Sequence, residues 1–218
     1  IEWMTDPTLL VDVLPETYAK HFIHMLDHPK EIWDRAFREH IPPKAQHLLI
    51  SLFFSSEYGE ELEELRSSFQ AVHAQLCMIH NLSSAPTDFQ DAVKLLEGSF
   101  LSLRNRQAFF VNPSVRDYLK QYLSDVNLLA HLAPTAHSAR WAQELWQHYK
   151  NLKTHGSIKP SDFADLFSNI AQRFKSLQTW RTTSHKPPVF QRNDLAMTER
   201  VKLLAEWQAT SDNAIFAA

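Results

Sequence analysis

Phe100-Leu101-Ser102-Leu103-Arg104-Asn105-Arg106-Gln107-Ala108-Phe109-Phe110-Val111-Asn112-Pro113 is where the chain changes its period. Upstream, apolar residues recur at helical spacing. Here Phe100–Leu103 and Ala108–Val111 form two short β-prone runs around Arg104-Asn105-Arg106-Gln107, a pattern that predicts the one β-hairpin of the chain. The turn lacks the favoured Asn-Gly pair. Asn112-Pro113 then restarts helix, because Asn caps well and proline is pre-shaped for the first helical position. Val115, Tyr118, Leu119, Tyr122 and Leu123 continue that helix.

Helices precede the hairpin. Tyr18, Phe22, Met25 and Leu26 share one helical face, and His28-Pro29 breaks it. Ile32, Trp33, Ala36 and Phe37 form a second stripe, closed by Pro42-Pro43. Leu48, Leu49, Leu52 and Phe53 form a third. Residues 61–78 form a fourth, with Leu62, Leu65, Phe69, Val72 and Leu76 inward and an acidic start at Glu57, Glu60, Glu61, Glu63 and Glu64. Thr87-Asp88-Phe89-Gln90 matches a capping box, opening a helix that carries Phe89, Val93 and Leu96 and stops at Gly98.

Three helices, a hairpin and a further helix are the parts of a winged helix. Its third helix spans residues 88–97 and its wing residues 100–111. A DNA-reading third helix needs donors for bases and cations for phosphates. This one carries Asp88, Asp91 and Glu97 against Lys94, so a phosphate backbone is repelled. Arg104 and Arg106 at the wing tip are the favourable pair. The expected fold is therefore mainly α: a helical segment (1–43), a winged-helix domain (44–123) with one small β-hairpin, and a helical extension (124–218).

The extension reads as helix again. Trp141, Leu145, Tyr149 and Leu152 form a stripe, and Ser161 is placed to cap a helix carrying Phe163, Leu166, Phe167, Ile170, Phe174 and Leu177. Residues 182–194, with Pro187-Pro188, read as a loop, and a last helix spans residues 197–207. Trp141, Trp146, Trp180 and Trp207 are expected mostly in the core; Trp146 falls off its stripe, which leaves an exposed anchor as its alternative role. Residues 173–192 are locally basic but lack aromatic interleaving.

Composition sets the outer bounds. The 218 residues hold 22 Lys and Arg against 25 Asp and Glu, 12 His, one Cys and three Gly. Hydrophobic residues at 44% allow a real core. Glycine scarcity argues against a sheet-rich fold, and neither Gly-rich phosphate-loop motif occurs. A net charge of −3 offers no general attraction to nucleic acid. Cys77 alone rules out an internal disulfide and a four-cysteine zinc site, and fits a reducing, cytoplasmic compartment. The longest apolar run, Leu48–Phe54 with Ser51 inside it, is too short to span a bilayer. The chain opens Ile1-Glu2-Trp3 without a methionine, so either processing removed a segment or, the favoured expectation, this is a piece of a longer protein.

Catalytic and metal constellations look sparse. His21, His24 and His28 share a face beside Asp27 but lack a further ligand. Cys77 and His80 stand alone, read as a core cysteine and a surface histidine. Glu60-Glu61 and Glu63-Glu64 read as a solvated helix face. No catalytic or metal-binding residue is expected.

Phe110-Val111-Asn112-Pro113-Ser114-Val115-Arg116-Asp117-Tyr118-Leu119 resembles the segment that ends the winged-helix domain of STAND-class signal-transduction NTPases, particularly the bacterial novel-STAND families. Ile1-Glu2-Trp3-Met4-Thr5 is similar to the stretch after their nucleotide-binding core, and His28–Trp33 and Leu48–Leu52 to the passage into their winged helix. The resemblance covers about residues 1–123. It implies the regulatory, non-catalytic part of an NLR-like switch whose parent binds ATP or ADP with Mg, assembles into a homo-oligomer on activation and in bacteria often serves antiphage defence. The partners would be the parent's NTPase core and sensor, with neither nucleic acid nor membrane. The resemblance also puts Asn112 where relatives carry a phosphate-contacting His. Asn112 is then either a neutral donor to nucleotide phosphate or a helix cap alone. A free-standing winged-helix DNA-binding regulator and a purely helical scaffold are the alternatives.

Overall fold

The computed structural model describes residues 14–20, 23, 33–55, 58–156, 158–182 and 190–217. The histidine face at 21–28 and the opening five residues lie outside them.

A π-helical turn, Ala36–His40, buries Ala36 and Phe37. Pro43 then occupies the first turn of helix α1, Pro43–Ser55, where its missing N–H costs nothing. Ten of the thirteen α1 residues are buried, so this helix runs through the centre of the fold. Burying each large side chain contributes about 1.5–3 kcal/mol, and Leu48, Leu49, Leu52 and Phe54 are almost fully enclosed.

Strand β1, Glu60–Glu61, follows, and helix α2 spans Leu62–His80. The acidic pair thus belongs to a strand rather than to the helix face expected from its charge. Gly59 sets it there: its φ is +91°, and a Cβ would lie 2.3 Å from Phe109 Cε1. On α2, Leu65, Ser68, Phe69, Val72, His73, Leu76 and Cys77 make one continuous buried face. Helix α3 spans Asp88–Leu96. The capping box is absent: Thr87 is helical and its hydroxyl donates to Asp91 at 3.3 Å. Asp88 takes the local role by accepting the Ala85 N–H at 2.5 Å. Gly98 ends the helix at φ +82°.

The wing is strands β2, Leu101–Arg104, and β3, Gln107–Phe110, joined by a two-residue turn. Asn105 and Arg106 have φ of 51° and 66°, so the turn takes the doubly left-handed form without glycine. β1 adds to β3, giving an antiparallel sheet of order β1-β3-β2. This helix–strand–helix–helix–hairpin order is a winged helix in a mainly α chain. The purely helical alternative fails on the hairpin.

Helix α4, Pro113–Tyr122, starts at the Asn112 cap. Helix α5, Val126–Leu132, is capped by Asp125, and helix α6, Ala139–Lys150, by Ser138. Helices α7, Pro160–Asp165, and α8, Ser168–Arg173, replace the one helix expected. Pro160 moves the cap back to Lys159, and the break at Leu166-Phe167 turns Phe163 and Phe167 both onto Trp146. A second hairpin pairs β4, Trp180–Thr182, with β5, Phe190–Arg192, where a loop was expected and one hairpin was foreseen for the whole chain. Its strands are three residues each, too short to stand out beside the Pro187-Pro188 signal. Helix α9, Met197–Ser211, closes the fold.

One buried apolar cluster runs from Ala36 to Phe216, with α1 against α2, α3 and α6, and α9 against α7. Trp141, Trp146 and Trp207 are all within it. Trp146 is core, as its group was expected to be, and its anchor alternative fails: Nε1 donates to Glu206 at 2.8 Å. Trp180, at 58% exposed, is the exception to the core expectation.

Candidate functional site

Four buried side chains with chemistry-bearing groups meet where α1, α2 and α3 converge. One turn into α1 stands His47. Its neighbours come from the inner face of α2, where His73 and Cys77 lie four residues apart and therefore on one side. The first residue of α3 supplies Asp88. Each of the four is less than 9% exposed.

His47 Nδ1 lies 2.8 Å from His73 Nδ1. His73 Nε2 lies 3.2 Å from Asp88 Oδ2. Because a carboxylate only accepts, Nε2 carries a proton; in the tautomer with Nδ1 bare, His73 accepts at Nδ1 and His47 donates. Cys77 Sγ is 3.7 Å from His73 Nδ1 and 3.5 Å from Nε2. Asp88 is held further by Lys44 Nζ at 3.1 Å, and Lys44 also reaches Asp91 at 2.9 Å.

The electrostatics follow from burial. Burial, with the neighbouring His73 and His80, pushes His47 down to about 3, so it is neutral at ordinary pH. Burial also raises the Cys77 thiol, reinforced by the Asp88 charge. For Asp88, burial opposes ionisation, but the Ala85 N–H, Lys44 and His73 together hold it below the usual carboxylate range. A cleft of about 270 Å³ opens beside the group between Pro42–Lys44 and Leu82-Ser83, with His73, Cys77 and Asp88 in its wall.

The residues singled out in the sequence lie elsewhere. Arg104 and Arg106 are exposed at the wing tip, and Asn112 is at the other end of β3. Asn112 Oδ1 accepts from the Ser114 N–H at 2.9 Å and from its hydroxyl at 3.0 Å, so the cap is formed. Cys77 has a partner after all in His73, whereas His80 is exposed. Sequence reading missed the buried group because it sought neighbours of Cys77 along the chain. The usable signal was that His73 and Cys77 both fall on the α2 stripe defined by Leu65, Phe69, Val72 and Leu76. His47, 26 positions upstream, had no such marker.

The basic run in the extension is partly spent, with Arg192 pairing with Glu199. Among the described residues no helix is long and apolar enough to cross a membrane. No protein-family model, curated protein or solved structure matches the chain.

Proposed function

We propose that this chain is the regulatory, non-catalytic part of a STAND-type nucleotide switch, coupling nucleotide state to sensing and oligomerisation in a cytoplasmic parent protein. Antiphage defence is the biological setting that accompanies such switches in bacteria. The observation that supports it best is the character of α3. In a DNA reader this helix would present cations to the groove. Here its first turn carries Asp88 and Asp91, and the cation beside them, Lys44, is already bonded to both carboxylates. Such a surface pairs with protein more readily than with phosphate backbone.

A second support is the use of the α4 start as a packing surface. Trp33 Nε1 donates to Ser114 Oγ at 2.8 Å, and the Trp33 ring lies 5.3 Å from Phe100. The segment before the winged helix is thereby tied to the helix terminus where the resemblance puts the nucleotide phosphates. Among the described residues the Asn112 amide N–H groups have no partner, since Oδ1 alone is used by the cap, and could meet an anion there.

The test uses the protein encoded by the full reading frame. Nucleotide released on heat denaturation is identified, and oligomeric state is followed by light scattering with ADP and with ATP plus Mg. Retained ADP and ATP-driven assembly are expected. Duplex DNA is titrated at several salt concentrations in parallel. Absence of bound nucleotide, or steeply salt-dependent DNA binding that requires Arg104 and Arg106, would overturn the reading in favour of a DNA-binding regulator.

A further inference from the structure

Cys77, His73 and Asp88 have the residue types of a cysteine nucleophile, its base and the group that orients the base. Their geometry rules against that use. Sγ is nearly equidistant from both His73 nitrogens, so it lies off the ring plane and away from either lone pair. Nε2 is already committed to Asp88. A thiol raised by burial is also a poor source of thiolate unaided.

What remains is a set of donor atoms that converge. His47, His73 and Cys77 come from two helices, are buried, and each offers one donor atom within 4.8 Å of the others'. Around a tetrahedral Zn²⁺, with Zn–N about 2.0–2.1 Å and Zn–S about 2.3 Å, neighbouring donors are about 3.3–3.6 Å apart. The sulfur-to-nitrogen distance of 3.7 Å already falls close to that range. The nitrogens, at 2.8 Å, must open by roughly half an ångström, the difference between a hydrogen bond and shared ligation. Ligation also requires Cys77 Sγ to leave the ring face of His73.

The surroundings fit an ion as well. A metal-ligating imidazole normally donates its other N–H to a carboxylate, which fixes its tautomer and orientation. Asp88 holds that place on His73 Nε2, and is itself held by Ala85 and Lys44. Charge is balanced: the Cys77 thiolate and the Asp88 carboxylate offset a divalent ion, and Lys44 keeps Asp91. The cleft with His73 and Cys77 in its wall offers an approach to these two donors from solvent. A thiolate with two imidazoles selects a borderline ion over Mg²⁺ or Ca²⁺.

We infer that His47 Nδ1, His73 Nδ1 and Cys77 Sγ form a Zn²⁺ site that clamps α1 to α2, with Asp88 positioning His73. Binding releases one proton, from the thiol. The proton on His47 moves from Nδ1 to Nε2, so the imidazole stays neutral. The inference is independent of the nucleotide reading, because it concerns the interior of the winged helix alone.

Co²⁺ titration of metal-free protein tests it. One equivalent should give a sulfur-to-cobalt charge-transfer band in the near ultraviolet and d–d bands of tetrahedral intensity, both removed by Zn²⁺. One proton should be released per ion. Cys77→Ser should abolish the charge-transfer band, His47→Gln should abolish the tetrahedral bands, and Asp88→Asn should weaken affinity about 10–100-fold. Far-UV circular dichroism checks that each variant folds. Should the variants unfold, X-ray absorption on the wild-type zinc form decides, with one sulfur and two imidazole nitrogens expected. A cobalt form without the charge-transfer band, or a zinc form with no sulfur ligand, overturns the proposal by placing the ion on surface histidines.

Discussion

Trp33 Nε1 donates to Ser114 Oγ at 2.8 Å across 81 positions of sequence. Ser114 in turn donates to Asn112 Oδ1, so the indole is the outer member of the chain of bonds that caps α4. Nearby, Phe37 lies 4.7 Å from Tyr122, and Asp34 accepts from both Tyr118 and Arg38. Removing the indole N–H while keeping an aromatic ring isolates the hydrogen bond. Trp33→Phe should lower unfolding stability by about 1 kcal/mol, the ordinary net worth of one such bond. Urea denaturation reads it as a lower midpoint at constant slope. An unchanged midpoint would mean that the ring contact with Phe100 alone holds this segment.

Arg106 has a left-handed φ of 66° that a β-carbon tolerates poorly. Its backbone carbonyl also accepts the Leu62 N–H at 3.0 Å, tying the turn to the start of α2. Arg106→Gly restores the favoured Asn-Gly turn while leaving that carbonyl in place. The variant should gain about 0.5–1 kcal/mol, partly offset by glycine's larger unfolded-state entropy. Thermal denaturation that shows a loss instead would mean the guanidinium makes a contribution outweighing the backbone strain.

Buried and half-buried histidines give the fold an acid sensitivity that is separate from its carboxylates. His137 is pushed down to about 4, chiefly by burial, with Asp194 and Arg173 as smaller opposing influences. His148, which donates to the Leu123 carbonyl at 2.9 Å, is lowered for the same main reason. In the unfolded chain these rings take up protons below about 6.5. The folded state does not, so stability is complete above that value and falls as pH drops toward 4. Each such histidine removes up to about 1.4 kcal/mol per pH unit across its window. Asp88 acts lower down: its depressed value contributes above the unfolded carboxylate range and is lost as pH falls through its folded value. Denaturation midpoints measured in chelator between pH 7 and about 4.5 should fall, and His137→Gln should flatten the slope. A slope unchanged by that substitution would mean His137 charges in the folded state.

The winged helix was legible because its signals are local. The two β-prone runs in residues 100–111, the Asn112-Pro113 restart and the α2 stripe each fix their element from a dozen residues or fewer. Where expectation failed, a distant partner decided. Glu60 and Glu61 look like a helix start until β3 is present to pair with them. Trp180 was expected in the core but stands 58% exposed, whereas Trp146, off its own stripe, is enclosed by Phe163, Phe167 and Glu206 of distant segments. The His47–His73 contact likewise needs the packing of α1 on α2, which no spacing within either helix announces.

Asp194 is the residue on which the extension most depends, and it too is visible only in three dimensions. Its carboxylate accepts the Ala139 N–H at 3.0 Å and the Arg140 N–H at 2.8 Å, capping α6 from 54 or more residues away. It also faces Arg200 at 3.5 Å, and Arg200 has no exposed surface. The guanidinium is otherwise held by the Phe174 and Leu177 carbonyls at 2.6 and 2.7 Å. Asp194→Ala therefore removes two cap bonds and leaves a buried cation without its counter-charge. Breaking one side of a buried pair costs about 3–5 kcal/mol, more than a cap alone at about 1 kcal/mol. Asp194→Asn keeps an acceptor for α6 but loses the charge, so it separates the two contributions. If Arg200 sets the cost, Asn should be nearly as damaging as Ala. The double variant Asp194→Asn with Arg200→Met should recover stability relative to Asp194→Asn alone, because a buried ion pair replaced by apolar volume is often no less stable. Failure of that rescue in urea denaturation would assign the cost to the α6 cap and to the carbonyls of Phe174 and Leu177 left without a donor.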